Sequence, residues 1–368
     1  PNVRSMLLVR AISGIGLGCL MPATFSLISD TFPPDKRGRA MGVLGAVGAL
    51  GVIGGVLSMG ALASNDPGPL GLEKWRWGFF ALGGMSVLSG LLILLLVREP
   101  VRGEAEPELA GKITSDAAQQ YRIELSDLPR VLKTPTLWVA TLQGMAGWMP
   151  WVVMAQFLPT WLVEAKGMSA DIDLANPNGS APIVFAIILI GTVIGNIAGG
   201  MIGDWADKRS PRYGRTIIGQ ISIFSGIPLT WIMLTRTGGW PLPAFMALCF
   251  LIALLSSWPG RGAKQPMMQG TILPELRSSA QAANDFVERG FAALIGIITG
   301  SLAGSTVAQF TRALVWTIPI PWILCLIFFS GFYWTYPRDA RKMRAQLAAR
   351  GAELAAQTQD SHQATVPD

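Results

Sequence analysis

Nine long apolar runs organise the chain, at roughly 5–29, 40–63, 77–97, 137–163, 182–203, 216–235, 242–272, 280–307 and 313–336. Each approaches or exceeds the roughly 20 residues that a helix needs to cross a hydrocarbon core. No soluble domain has an interior large enough for this surface, because 51% of the 368 residues are hydrophobic and only 14% are charged. A bilayer is therefore the solvent, and there the backbone must satisfy its own hydrogen bonds, which makes the runs helical. Most connections are short. Only 98–136 is long and polar enough to separate two groups of spans.

The net charge of +6 does not indicate nucleic acid, since the basic residues sit in short segments between apolar runs rather than along one soluble face. Assigned to alternating sides, nineteen of the 29 Lys and Arg fall on one side, among them Lys36, Arg37, Arg39, Lys208, Arg209 and Arg277, and five on the other. By the positive-inside rule the richer side is cytoplasmic. The chain is then a multi-pass protein of a plasma (inner) membrane with a cytoplasmic C-terminus. From Pro337 onward the composition allows either an amphipathic helix or a disordered tail. Cys19, Cys249 and Cys325 lie far apart in apolar runs, without CxxC or histidine partners, and read as free thiols. The single histidine, His362, falls in the polar tail, which removes a histidine relay and leaves no metal or cofactor site. The chain opens at Pro1 directly before an apolar run, so a truncated start is expected.

Arg10 precedes Gly14, Gly16, Gly18 and Pro22, giving R-x-x-x-G-x-G-x-G inside a span. This resembles the fourth helix of major facilitator transporters. The segment Asp30-Thr31-Phe32-Pro33-Pro34-Asp35-Lys36-Arg37-Gly38-Arg39-Ala40-Met41-Gly42 is similar to that superfamily's loop between helices 4 and 5, and Trp75-Arg76-Trp77-Gly78-Phe79-Phe80 to its helix 6 opening. Gly199-Gly200-Met201-Ile202-Gly203-Asp204, followed by Asp207, Lys208, Arg209, Gly214 and Arg215, resembles the motif between helices 8 and 9. The resemblance implies an all-α membrane protein with a major-facilitator-type fold, the visible spans being helices 4 to 12 of a 12-helix, two-bundle architecture. Three helices would then precede Pro1. Residues 1–97 would be the remainder of the N-terminal bundle, 98–136 a cytoplasmic linker, 137–336 the C-terminal six-helix bundle and 337–368 a cytoplasmic tail.

Within the superfamily, Asp30-Thr31-Phe32-Pro33, Arg98-Glu99-Pro100-Val101-Arg102-Gly103 and Leu158-Pro159-Thr160-Trp161-Leu162 look like Spinster-type lysolipid transporters. Those proteins carry an acidic residue where this chain has Leu17. Drug antiporters carry Gly-Pro followed by Gly-Gly in helix 5, whereas here Leu50-Gly51 precede Gly54-Gly55.

Glycines at 42, 45, 48, 51 and 54 leave a smooth strip along the second span, suited to close packing and to a rocking interface. By the pseudo-symmetry of the resembled fold, Asp204 is expected at the start of the second span near Arg37 and Arg39, where backbone amides and the helix dipole favour an anion. Asp30, Gly200 and Arg209 complete a candidate gate. Arg10, inside a span, is a candidate cavity residue, because an unpaired charge there costs on the order of 3 kcal/mol. Pro259-Gly260-Arg261-Gly262-Ala263-Lys264-Gln265-Pro266 is a breakable polar insert of the kind that forms transporter binding sites. Arg261 and Lys264, three apart, share a face suited to an anion, or else snorkel to the cytoplasmic surface, Lys264 lying nearer water. Ser278-Ser279-Ala280-Gln281 fits a capping box, Asp285 and Arg289 an i,i+4 pair, and Glu288 a coupling acid. In the fourth span, Gln143, Trp148, Trp151 and Gln156 beside Gly144, Gly147 and Pro150 suit either a substrate path or interfacial anchoring.

These features predict a secondary transporter that moves a small amphipathic or anionic solute by alternating access. Its partners are that solute, a coupling ion such as a proton and the lipid bilayer, with no nucleic acid and no partner subunit. A lysolipid or hydrophobic-drug exporter is the alternative within the class. An intramembrane enzyme would need clustered catalytic groups, and the candidates here are dispersed; a non-transporting receptor or scaffold is the remaining rival. No phosphate-binding GxxxxGK[ST] loop is present, so a gradient rather than ATP would supply the energy.

Overall fold

A computed structural model describes residues 3–62, 68, 71–113, 129, 132–170 and 180–364. Residues 114–128 of the expected linker lie outside the described residues, as does the His362 side chain. The described chain is helical, with one isolated bridge between Ser169 and Ser180 and no strand. The helices are α1 (Val3–Thr31), α2 (Arg37–Leu62), α3 (Lys74–Leu96), α4 (Pro135–Lys166), α5 (Ala181–Arg209), α6 (Gly214–Thr235) and α7 (Leu242–Ser256). A π turn, Pro259–Lys264, leads into α8 (Gln265–Gln269), and a 3₁₀ turn, Pro274–Leu276, into α9 (Arg277–Ala303). Then follow α10 (Val307–Thr317), α11 (Pro319–Phe329) and α12 (Phe332–Ala364).

Among the described residues, eight helical segments are long and apolar enough to cross a membrane. The ninth expected span forms as α4, whose 32 residues suffice in length. Its glutamines, tryptophans and prolines lower its hydropathy, and Gly167, at φ +66°, ends it in the left-handed conformation that glycine adopts without strain. The run expected at 242–272 does not unwind at its polar insert; it stays helical through the wider π turn. Nor does Ser278 open α9. The 3₁₀ turn starts the coil early, Leu276 takes the N-cap position without a side-chain bond, and the capping box forms instead between Thr306 and Gln309 at α10.

Core packing is concentrated in α4–α12, where Leu158, Trp161, Phe245, Leu314, Phe329 and Phe332 belong to one buried cluster. In α1 the buried residues are Pro22, Phe25, Ser29 and Asp30, a stripe at three- and four-residue spacing that packs on α9. Residues before Leu20 in α1 are exposed, as is most of α3, with Leu94 80% and Leu95 79% accessible. An apolar surface of that extent suits lipid or further helices rather than water.

The described part of the tail, through Ala364, is a helix. Met343, Leu347 and Leu354 of α12 pack on Leu109, and Arg350 pairs with Glu275 at 2.7 Å. Asp339 caps α4 from the far end of the sequence, accepting hydrogen bonds from the Thr136 amide at 2.9 Å and its hydroxyl at 2.7 Å.

α5 is gripped on two faces. Gly191, Gly195, Gly199 and Gly203, four residues apart, lie against Phe250, Leu254, Trp258 and Gly262 of α7 and its extension. The other face, at Asn196 and Gly200, meets Gly38, Gly42 and Gly45 of α2. Only small residues allow backbones this close. Farther along α2 no described atom lies near Gly48, Gly51 or Gly54, because glycines three residues apart drift around the helix while Ala46 and Ala49 stay buried; the expected strip is occupied at Gly42 and Gly45.

Candidate functional site

Three polar clusters lie at or near the end of the helices that carries Arg37, Arg215 and Arg277. The first joins α2 to α5. Asp204, fully buried, accepts hydrogen bonds from the amides of Gly38 at 2.9 Å and Arg39 at 2.8 Å. These are free donors in the first turn of α2, at the positive end of its dipole. Arg215 of α6 completes the carboxylate shell at 2.8 Å and also donates to the carbonyls of Gly262 at 2.9 Å and Pro34 at 3.2 Å. One guanidinium thus links the α1–α2 loop, α5 and the π turn. The Arg39 side chain is 56% exposed and its Nε stands 3.9 Å from Asp204, so its amide contributes more than its charge. Arg209 does not join the cluster. It is exposed at the end of α5 and stacks at 6.0 Å over Trp205.

Gly200 sits where these helices cross. A Cβ there would run into the Gly38 carbonyl and lie 3.2 Å from Arg39 Cα, both backbone atoms that cannot swing aside. Gly200→Leu should therefore hold α2 off α5. Spin labels at the exposed positions Lys36 and Arg212 would report this as a longer distance than in the parent protein. An unchanged distance would mean that the crossing adjusts to a side chain.

The second cluster lies between α1, α2, α9 and the ordered segment 101–113. Arg37 donates to Glu106 at 2.7 Å, to the Ser29 carbonyl at 2.6 Å and to the Phe32 carbonyl at 3.0 Å. Arg277 donates to the same Glu106 oxygen, to the Gln269 carbonyl at 3.1 Å and to Asp30 at 3.2 Å. Asp30 also accepts from the Gly103 amide at 3.1 Å. Burial works to raise the Glu106 carboxyl, but Arg277 and Arg37 outweigh it and hold the group below its ordinary 4.5. Glu106 is therefore charged at neutral pH. Its contribution to stability is present above the ordinary value and lost only as pH falls through the folded-state value, below 4.5. A small cavity lined by Pro34, Arg37, Glu106, Asp207, Arg215 and Tyr336 connects the first and second clusters.

Deeper lies the third. Lys264 pairs with Glu288 of α9, their side chains 5% and 1% exposed, against Gly144 of α4. This corrects the expectation that Lys264 lies toward water on the same face as Arg261. The π turn has more residues per turn than an α-helix, so the three-residue spacing no longer aligns the two side chains. Arg261 instead lies against Gly45, with its guanidinium 4.9 Å over the Phe25 ring, pinned between α1 and α2 rather than extended to the surface. Gln143 donates to Cys325 at 3.1 Å, and Thr141 bonds Asn284 at 3.1 Å. The buried oxygens Gln143 Oε1 and Gln265 Oε1 have no partner among the described residues.

The remaining candidates scatter. Trp148 is 42% exposed with Arg289 at 5.9 Å over its ring, and Arg289 keeps its pair with Asp285 at 3.9 Å. Trp151 stacks edge-on with Trp322 at 6.4 Å, while Gln156 is exposed and lies close to Gly296. Arg10 is exposed on α1 and pairs with no side chain among the described residues. Sequence reasoning missed Glu106, Arg215 and Asp339 as organising groups. A signal for the second cluster was present in the repeated spacing Pro34-Asp35-Lys36-Arg37 and Pro274-Glu275-Leu276-Arg277.

A family model described as Major Facilitator Superfamily matches residues 1–289. Multidrug resistance protein 3 of Bacillus subtilis (strain 168) is 25% identical over 341 residues, which are 80% of this chain and 61% of that protein. Protein spinster homolog 1 of Xenopus laevis is 22% identical over 377 residues, covering 98% of this chain and 68% of the relative. Puromycin resistance protein pur8 of Streptomyces alboniger is 33% identical over 106 residues, 28% of this chain and 20% of that protein. The chain thus spans less than two thirds of the length of the first of these relatives.

Proposed function

The chain belongs to the major facilitator superfamily, and on that premise we propose that it moves a small amphipathic or anionic solute across the membrane by alternating access. It is a transporter-family protein and not an enzyme. The observation that carries the mechanism is the contact between α2 and α5, closed by Asp204 at one end and lined by Gly38, Gly42, Gly45 and Gly200. Two helix groups joined by buried polar contacts at one end, with small residues between them, can exchange that closure for one at the other end. Basic residues concentrate at the closed end, which favours a cytoplasmic location for it and hence an outward-open arrangement.

In this reading Asp204 and Arg215 form the inner gate, with Asp30, Arg37 and the Arg39 amide beside it. Arg261 stands just above the gate and faces the space between α1 and α2, where it could take an anionic group. Lys264 and Glu288 form the coupling element: a buried pair that holds no net charge when closed can take up or release a proton once the surrounding helices part. A hydrophobic-drug substrate is the second reading, favoured by the exposed Trp148 and the Trp151–Trp322 stack along α4.

The test is uptake into liposomes under an imposed proton gradient, with a panel of anionic and neutral amphipathic solutes, comparing the parent protein with Arg261→Gln. Flux that follows the gradient, with anion affinity weakened about ten- to a hundredfold in the variant, is the expected result, since a charge-assisted hydrogen bond is worth roughly 1.5–3 kcal/mol. Equal affinity for every solute would remove the anion site and favour the drug reading. No flux of any solute would leave a receptor or scaffold.

A further inference from the structure

Three apolar stripes on the outside of the helical core end alike. On α5, Ile190, Ile194, Ile197 and Met201 are exposed at three- and four-residue spacing, and the stripe finishes with Trp205 and then Arg209. On α11, exposed Leu324 and Ile327 lead through the break at Ser330 and Gly331 to Trp334, 74% accessible, and then Arg338. α6 runs the other way, so Arg212 and Tyr213 come first and exposed Ile217 and Ile221 follow. Toward one end of the helices, each stripe thus passes from apolar to aromatic to cationic.

Ring contacts join two of the stripes. Tyr213 and Tyr333 stack at 5.7 Å, and Tyr333 meets Trp334 at 6.4 Å. Behind them the Tyr333 hydroxyl donates to Gln220 at 2.8 Å, and the Gln220 amide donates to Ser330 at 2.7 Å. Arg212 lies over the Tyr213 ring at 4.8 Å. Among the described residues, neither Arg212 nor Arg338 pairs with a carboxylate. The acids of the same stretches turn inward, Asp204 and Asp207 to Arg215 and Asp339 to Thr136.

We propose that the crossing of α6 and α12 binds an anionic phospholipid of the adjacent leaflet, its phosphate held by Arg212 and Arg338 and its chains lying along the exposed stripes. The inference needs only that the chain spans a membrane; neither solute transport nor the gate enters it. Tryptophan settles at the headgroup level. Arg338 lies four residues beyond Trp334 on the same face, about 6 Å farther from the hydrocarbon and within reach of the phosphates. A guanidinium matches a phosphate through two parallel hydrogen bonds, and basic surfaces between helices at this depth suit acidic headgroups. The apolar stripes select a lipid over free phosphate, which would gain nothing from Ile217, Ile221 or Ile327.

To test this, the purified full chain in uncharged detergent would be titrated with dioleoyl phosphatidylglycerol and with dioleoyl phosphatidylcholine. Bound lipid would be counted by native mass spectrometry and stability read by thermal unfolding. Phosphatidylglycerol should bind about tenfold more tightly and raise the melting temperature with its concentration. Arg212→Gln and Arg338→Gln should each weaken it about fivefold. Trp334→Ala should weaken it even at moderate salt, where screening has reduced the contribution of charge. All three side chains are exposed, so the lipid-free variants should melt with the parent. Arg102→Gln, which removes an equally exposed charge outside the stripes, should bind as the parent does. Equal losses in Arg102→Gln and Arg338→Gln, or equal affinity for the two lipids, would leave only diffuse attraction to a basic surface and overturn the site. Displacement of phosphatidylglycerol by millimolar inorganic phosphate would give the arginines to a soluble anion and overturn the lipid assignment.

Discussion

Asparagine in place of Asp204 should shift the protein toward an inward-open state by on the order of a hundredfold. Asp204 accepts from two amides at the start of α2 and from Arg215, all inside the protein. Asparagine keeps the shape, loses the charge that both the helix dipole and the guanidinium require, and leaves Arg215 with Asp207 at 3.4 Å as its remaining carboxylate. Removing one partner of a buried ion pair costs about 3–5 kcal/mol, much of it borne by the charge left behind. Here that cost falls on the closed arrangement, because the open one lets water reach Arg215. Accessibility of cysteines placed along α5 should rise on the inner side. A variant that keeps both parent-like accessibility and parent-like transport would show Asp204 to be a packing residue only.

The second large effect is expected at Lys264. Lys264→Met leaves Glu288 buried at 1% exposure without its cation, and the folded protein should lose about 3–5 kcal/mol. The double variant Lys264→Met, Glu288→Leu should recover most of that loss, because two apolar side chains of similar volume need no compensation. Recovery should not extend to gradient-driven transport, which the coupling role assigns to the pair. Thermal unfolding in detergent and proton-driven uptake, measured on the same preparations, separate the two outcomes. A double variant that is both stable and fully coupled would move the coupling element elsewhere.

Legibility in the sequence followed the physics that each feature obeys. The spans were readable because burial in lipid imposes length and composition on every residue of a run, as in α1, α2 and α5. The meeting of Asp204 with the start of α2 was readable only through the pseudo-symmetry of the resembled fold, with the complementarity of a carboxylate and a free helix start as its chemical reason, and Arg215 was not foreseen there. The Arg261–Lys264 face was misread because an i,i+3 rule assumes 3.6 residues per turn, and the two prolines and two glycines around them produced a π turn. Ser278 was misread as a cap because nothing local announces that a 3₁₀ turn will start the helix two residues earlier. Glu106 was invisible for a different reason. Its importance comes from two arginines 69 and 171 residues away, and composition records only that its surroundings are polar.

The bond between Asp339 and Thr136 also carries a consequence for manufacture. α4 opens the core-forming part of the chain, yet the carboxylate that caps it is 203 residues downstream. At ribosomal speeds of 5–20 residues per second, that start waits roughly 10–40 s for its partner. During the wait the Thr136 amide must be solvated, which holds the beginning of α4 at the membrane surface. The last span and the tail thus finish the first, and a ribosome that stops before Asp339 would release a bundle whose opening helix has not been fastened.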